Sequence, residues 1–211
     1  MTLVNDFESF IKKIALDKLE AMKTTTKEIA KKLNKIYYDL DDNTSEHMYI
    51  VGSVGRGTSI KGASDLDLLF DLPSDIYKKY DNYGENSNGQ SVLLQEVKNV
   101  LLERYPKTKI SGDGQVVVIE FINYTVELVP GFKQNDGSFK YPDTHDKGSW
   151  KITNPMPEIK ESRKMAEDTN NNFVYICNMV RSWKNHIGFK LGGLLIDTLV
   201  YKFLNENNKY K

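Results

Sequence analysis

The chain has 211 residues, enough for one large domain or two small ones, and its 39% hydrophobic and 27% charged residues fit a soluble globular protein. Lys+Arg and Asp+Glu both number 29, so a protein that coats duplex nucleic acid, which needs a basic excess, is excluded. The single Cys177 allows no internal disulfide and points to a reducing compartment, and no apolar run approaches a membrane span. With the early acids of "MTLVNDFESFIKK", which is no signal peptide, this predicts a cytoplasmic protein.

A first helix is expected over Asp6 to Ile14, where Phe7, Phe10, Ile11 and Ile14 recur at helical spacing and Asp6 is a candidate cap. A second, longer helix is expected from Asp17 to about Asp39, striped by Ile29, Leu33, Ile36 and Tyr37 and continuous through Thr24-Thr25-Thr26. "DLDDNTSE" reads as a loop. "HMYIVG" reads as a short strand ending at Gly52, with a helical turn from about Val54, and "DLDLLFDL" as a strand ending before Pro73. "NYGENSNGQ" is polar but too short for a linker. "SVLLQEVKNVLLERY" is an amphipathic helix with Val92, Leu93, Val97, Val100 and Leu101 on one side. "QVVVIEFI" and "VELVPGF" form a hairpin about Asn123-Tyr124. Lys133 to Pro157 is rich in turn formers and reads as a long ordered loop or a crossing segment, and the chain is helical from Glu158 onward. The order makes an α+β fold, a mixed sheet flanked by helices.

The chemistry concentrates in "VGSVGRGTSIKGASDLDLLF". On a strand, Asp65 and Asp67 project from one face, with Cα atoms roughly 6–7 Å apart, while Leu66 and Leu68 point into the core. Two carboxylates so close repel unless a cation or a proton lies between them. Oxygen ligands suit Mg²⁺, which is commonly held by one or two carboxylates together with substrate phosphates. Gly52 and Ser53 open a turn whose N–H groups and hydroxyl can cradle a phosphate. The competing reading is a solvated acidic strand after an ordinary turn. Glu127, in "TVELVP", is the preferred third carboxylate, with Glu120 as its competitor.

The stretch "GSVGRGTSIKGASDLDLLF" resembles the G-S-x(n)-D-x-D signature of the DNA polymerase β-like nucleotidyltransferases. With "VELVPGF", "DGSFKYPDTHDKGSWKITNP" and "NMVRSWKNHIG", the likeness narrows to the bacterial CD-NTases, the cGAS/DncV-like or SMODS proteins, and runs from about Asp6 to Leu204. The resemblance implies a polymerase β-like fold, with a nucleotidyltransferase core over residues 1–157. Residues 158–211 would be the start of a helical domain that relatives continue beyond the position of Lys211. It implies synthesis of a cyclic di- or oligonucleotide second messenger from NTPs in CBASS anti-phage defence. The diffusible product would reach a separate effector, and a regulatory partner protein is left open. Gly52, Ser53 and Lys184 would bind the nucleotide. Asp65, Asp67 and Glu127 would hold two Mg²⁺ ions, for which Mn²⁺ can substitute. Two departures stand out: Glu127 where Asp is common, and "KLGGLL", whose Gly192 and Gly193 lack the phosphate-contacting hydroxyl of relatives. The alternatives are transfer of a single nucleotide to a protein, RNA or small molecule, and a degenerate nucleotide-binding regulator.

Other side chains take plainer readings. His47, His145 and His186 are surface or turn residues, and Cys177 and Trp183 are core. Trp150 and Tyr141 are packing residues that could instead stack on a base. Arg56 either faces solvent or supports the phosphate turn, and Arg181 solvates the helix it shares with Lys184.

Overall fold

A computed structural model describes residues 3–41, 44–62, 65–82 and 88–207. Parts of the expected loop at 39–46 and of the polar stretch at 82–90, and the chain end at Lys211, lie outside the described residues. No helix among the described residues is long and apolar enough to cross a membrane. The chain forms two compact units, one made of Glu20–Ile50 and Asp65–Pro155, the other of Met1–Leu19, Val51–Ser64 and Met156–Lys211.

The first unit is built on a mixed sheet of β1 (Met48–Ile50), β2 (Leu66–Asp71), β3 (Lys109–Asp113), β4 (Val116–Glu120) and β5 (Thr125–Lys133), with β6 (Phe139–Asp143) and β7 (Ser149–Thr153). The spatial order is β1-β2-β5-β4-β3, and β6 pairs with the end of β5 and with β7. Among the described residues β2 and β5 run parallel and the other strand pairs are antiparallel. Strict alternation on the central strands sends Leu66, Leu68, Val117, Ile119, Val126 and Leu128 into the core, where all are fully buried. The helix α5 (Gly89–Arg104) adds Leu93, Leu94, Val97 and Leu101 to that core. Asn88 caps it by accepting a hydrogen bond from the Ser91 N–H at 2.9 Å.

The long helix α2 (Leu19–Tyr38) runs unbroken through its three threonines. Thr24 and Thr26 donate their hydroxyls to the carbonyls of Glu20 and Met22, which satisfies them locally inside the helix. Lys32 to Glu103 and Arg104 to Glu28 tie α2 to α5.

The segment from Lys133 to Pro157 departs from its reading as a loop, because it holds the hairpin β6–β7. The turn formers of "NDGS" make a tight connection instead. Gly137 sits at φ +84°, Ser138 N–H bonds Asp136 Oδ1 at 2.9 Å, and Gln134 N–H bonds Ser138 O at 2.8 Å. β3 and the helix α4 (Ser74–Asp81) are also absent from the sequence reading. Each buries a single residue, Ile110 and Tyr80, so neither carries a strong apolar pattern. Trp150 packs against Tyr77 and Phe132, with ring centroids 5.0 and 5.5 Å away.

The second unit comprises α1 (Leu3–Ile14), α3 (Gly52–Arg56), α6 (Met156–Asp168), α7 (Asn172–Ile187) and α8 (Gly193–Glu206). α1 already includes Leu3, so Asp6 lies inside its first turn and is not its cap. Met165, Phe173, Cys177, Ile196, Val200 and Leu204 form the apolar core. Cys177 is the buried small residue expected, and burial pushes its thiol pKa up. Trp183 is not core. The buried stripe of α7 is Phe173, Cys177 and Arg181; Trp183 lies two residues off it, about 200° around the helix, and is 56% exposed.

Candidate active site

Asp67 is the second residue of β2 and Glu127 the third residue of β5. The parallel register makes them direct partners, side by side on one face of the sheet, with the strands about 4.8 Å apart. Their flanking residues Leu66 and Val126 are also partners and point the other way, fully buried. Asp65 stands two residues before Asp67, exposed at the mouth of β2, while Asp67 and Glu127 are half-buried. The structure therefore brings Asp65, Asp67 and Glu127 together.

Burial holds the Glu127 carboxyl above the ordinary range, and the neighbouring charges of Asp65 and Asp113 raise it further. Asp113, at the end of β3, shares this face through the registers Asp113–Val116 and Val118–Glu127. Sequence reasoning missed it, because "SGDGQ" carries no alternation that would assign a face. Glu120 sits one row away, opposite Thr125, and is neutralised by Lys109 at 2.5 Å. Glu127 thus faces Asp67, and Glu120 faces a lysine.

Because the fold raises the Glu127 pKa, ionising this group costs stability as pH rises above its unfolded value of about 4.3. Glu127→Gln is expected to be more stable than the parent chain at pH 8 in EDTA, with the gain vanishing near pH 4. Thermal unfolding at both pH values checks this; equal or lower stability of Glu127→Gln at pH 8 contradicts it.

The second unit holds the Gly-Ser segment. Gly52 adopts φ +60°, a left-handed conformation that favours glycine, and opens the short helix α3. Gly57, at φ +76°, closes it, its N–H reaching the carbonyls of Ser53 and Val54. α3 is anchored by a buried ionic network. Arg56 Nε donates to Asp197 Oδ2 at 2.8 Å, and its Nη1 to Glu158 Oε1 at 2.7 Å. Thr58 Oγ1 donates to the same Asp197 oxygen at 2.8 Å, and Arg181 contacts both Asp197 oxygens, at 2.5 and 2.9 Å.

Arg56 accordingly supports the turn and does not face solvent, and Arg181 is buried, not a solvating residue. Burial alone would raise the Asp197 carboxyl; the hydrogen bonds and charge of Arg181, with those of Arg56 and Thr58, hold it below the usual range. Arg181 also donates to Gly193 O at 3.0 Å, and a Cβ at Gly193 would stand 3.3 Å from its guanidinium. Lys184, in the last turn of α7, donates to Leu191 O at 3.3 Å.

The family model described as the Second Messenger Oligonucleotide or Dinucleotide Synthetase domain, SMODS, matches residues 1–165. The chain belongs to the SMODS family. Among solved structures, this SMODS chain is similar to CdnC of E. coli MS115-1 in its HORMA-deltaN complex. The TM-score is 0.69 at 16% identity, over 97% of this chain and 64% of that one. The same CdnC with ATP matches with a TM-score of 0.68 at 16% identity, over 93% and 63% of the two chains. A STING-associated CdnE c-di-GMP synthase from Capnocytophaga granulosa gives 0.68 at 18% identity, over 92% and 61%. The chain thus spans less than two thirds of the length of these structures. Among curated proteins, none matches the sequence. The likeness establishes the fold expected from "GSVGRGTSIKGASDLDLLF", a mixed sheet with flanking helices shared with CD-NTases.

Proposed function

We propose that this SMODS chain joins NTPs into a cyclic di- or oligonucleotide second messenger, releasing pyrophosphate. The observation that carries the reading is the register that sets Asp67 beside Glu127, with Asp65 at the mouth of the same strand, in a chain of this family. Among the described residues no group of three or more His, Cys, Asp or Glu side chains is placed to hold a metal ion. Mg²⁺ is commonly bound through one or two carboxylates and completed by substrate phosphates. The donor set is all oxygen, and burial, then the charges of Asp65 and Asp113, raise the Glu127 pKa. Asp65, Asp67 and Glu127 would hold two such ions, with Mn²⁺ as a substitute. When bound, the ions stabilise charge on the triphosphate and lower the pKa of the acceptor hydroxyl.

Asp65 and Asp67 orient the donor triphosphate, and Gly52, Ser53 and Lys184 bind its phosphates. The acceptor ribose oxygen bonds to the α-phosphorus as the bond to pyrophosphate breaks. The hydroxyl proton passes to a base, for which Glu127 is the candidate beside its metal-holding role. A second round on the linear intermediate closes the ring. The setting would be CBASS defence in the cytoplasm, with a separate effector reading the product. CdnC of E. coli MS115-1 is found in a complex with HORMA-deltaN, which supports a regulatory partner protein for this chain as well. Incubation with mixed NTPs and Mg²⁺, followed by mass spectrometry of the product, tests the reading. A cyclic product supports it; a single nucleotide attached to an acceptor assigns the chain to the other transferase class.

A further inference from the structure

The parallel pair β2–β5 has a second polar end. Four residues beyond the Asp67–Glu127 row lies the Asp71–Gly131 row, about 13 Å along the strands. There a cavity of about 390 Å³ opens, lined by Tyr38, Asp71, Tyr77, Phe132, Lys133 and Lys140 among others. Its size falls within the range of small-molecule sites.

Two ammonium groups meet at this cavity, and among the described residues neither has a carboxylate within ion-pair distance. Each is propped on a tyrosine. Lys140 Nζ lies 4.7 Å from the Tyr77 ring centroid and 3.2 Å from its hydroxyl. Lys133 Nζ lies 5.7 Å from the Tyr49 centroid and 3.4 Å from its hydroxyl. Such cation–π and hydroxyl contacts orient the ammoniums without neutralising them.

The Asp71 carboxylate lines the same cavity. Its Oδ1 accepts the Lys133 backbone N–H at 2.8 Å, which fixes the side chain. Burial raises its pKa, and that N–H and the nearby charges of His47 and Lys133 do not fully offset the effect. Tyr77, half-buried and packed edge to face on the buried Phe132 at 5.3 Å, supplies aromatic surface. The lining thus combines two ammonium groups outside ion-pair distance of a carboxylate among the described residues, an oriented acceptor and a tyrosine ring.

We propose that this cavity is an effector site for a small anion carrying a flat ring and a hydrogen-bond donor, the chemical class of a nucleoside monophosphate. The phosphate pairs with Lys133 and Lys140, an amino group donates to Asp71, and the ring lies against Tyr77. The occupant is distinct from the donor at Asp65, Asp67 and Glu127, and it acts on them along two shared strands.

The test is calorimetric titration of the full chain with AMP in EDTA. Lys133→Gln/Lys140→Gln, which keeps the aliphatic stems, is expected to weaken binding at least about 10-fold, since a hydrogen bond to a charged group is worth that much. Asp65→Asn/Asp67→Asn is expected to leave binding intact. Adenosine and inorganic phosphate are each expected to bind more weakly than AMP. Circular dichroism of the lysine variant confirms that it is folded. Absence of AMP binding overturns the proposal. So does binding that the lysine variant leaves unchanged, or that the aspartate variant abolishes, or that phosphate alone matches. None of these outcomes bears on the synthase reading, which is tested by its product.

Discussion

Asp65→Asn combined with Asp67→Asn is expected to abolish product formation while leaving the fold intact. Both residues lie on the face of β2 opposite the fully buried Leu66 and Leu68, so the amide substitution keeps shape and removes charge only. In the apo chain the change relieves repulsion with Glu127, whose pKa the Asp65 charge raises. The unfolding temperature should therefore hold or rise. The catalytic loss should be large, because metal-bound charge stabilisation contributes several kcal/mol to phosphoryl-type transfer. At 1.36 kcal/mol per decade this is a fall of about 10³-fold or more. Quantifying pyrophosphate release alongside thermal unfolding separates the two effects. A double variant that keeps full turnover removes the carboxylates from the mechanism.

Asp197→Asn is expected to be the most destabilising single change in the helical unit. Asp197 is 3% exposed and receives Arg56, Thr58 and Arg181 together, so its neutralisation leaves two buried guanidinium groups without their shared counter-charge. Breaking one partner of a buried ionic cluster costs about 3–5 kcal/mol, or roughly 10 °C in Tm for a chain of this size. The sign with pH follows from the depressed Asp197 pKa. The network's contribution is fully present above the unfolded carboxylate value of about 3.9 and is lost as pH falls through the lower folded value. The gap between the parent chain and Asp197→Asn should therefore be widest near neutrality and close below about pH 4. Replacing the cluster as a whole, with Arg56→Met, Arg181→Met and Asp197→Leu, should recover much of the loss, since apolar residues of similar volume can take the place of a buried ionic cluster. A Tm for Asp197→Asn within about 2 °C of the parent at pH 7 would show that the cluster does not hold this unit together.

How much of this was readable in the sequence depends on range. The Asp65–Asp67 strand was legible, because alternation against Leu66 and Leu68 is a local property. The choice between Glu127 and Glu120 was not settled by alternation, since both project from the same face of the sheet. Strand register sets Asp67 against Glu127 and Lys109 against Glu120, and it is this non-local pairing that favours Glu127. The hairpin β6–β7 was hidden because its turns use the residues that also mark loops, and because Pro142 interrupts a short strand. The Arg56–Asp197 pair joins residues 141 positions apart, and two charged residues at that separation have no pattern to reveal them. Read locally, Arg181 looked like a solvating residue and Trp183 like core; the positions of Cys177 and Arg181 on one buried stripe reverse both.

The measurement that bears most directly on the central claim is mass spectrometry of the phosphatase-resistant product formed from all four NTPs with Mg²⁺, with and without a candidate activator protein. The account predicts a cyclic nucleotide whose mass is the sum of its nucleoside monophosphate units less one water for each linkage, and which disappears with Asp65→Asn/Asp67→Asn. Tight NTP binding with no turnover under any of these conditions, or a product carrying only one transferred nucleotide, would contradict it.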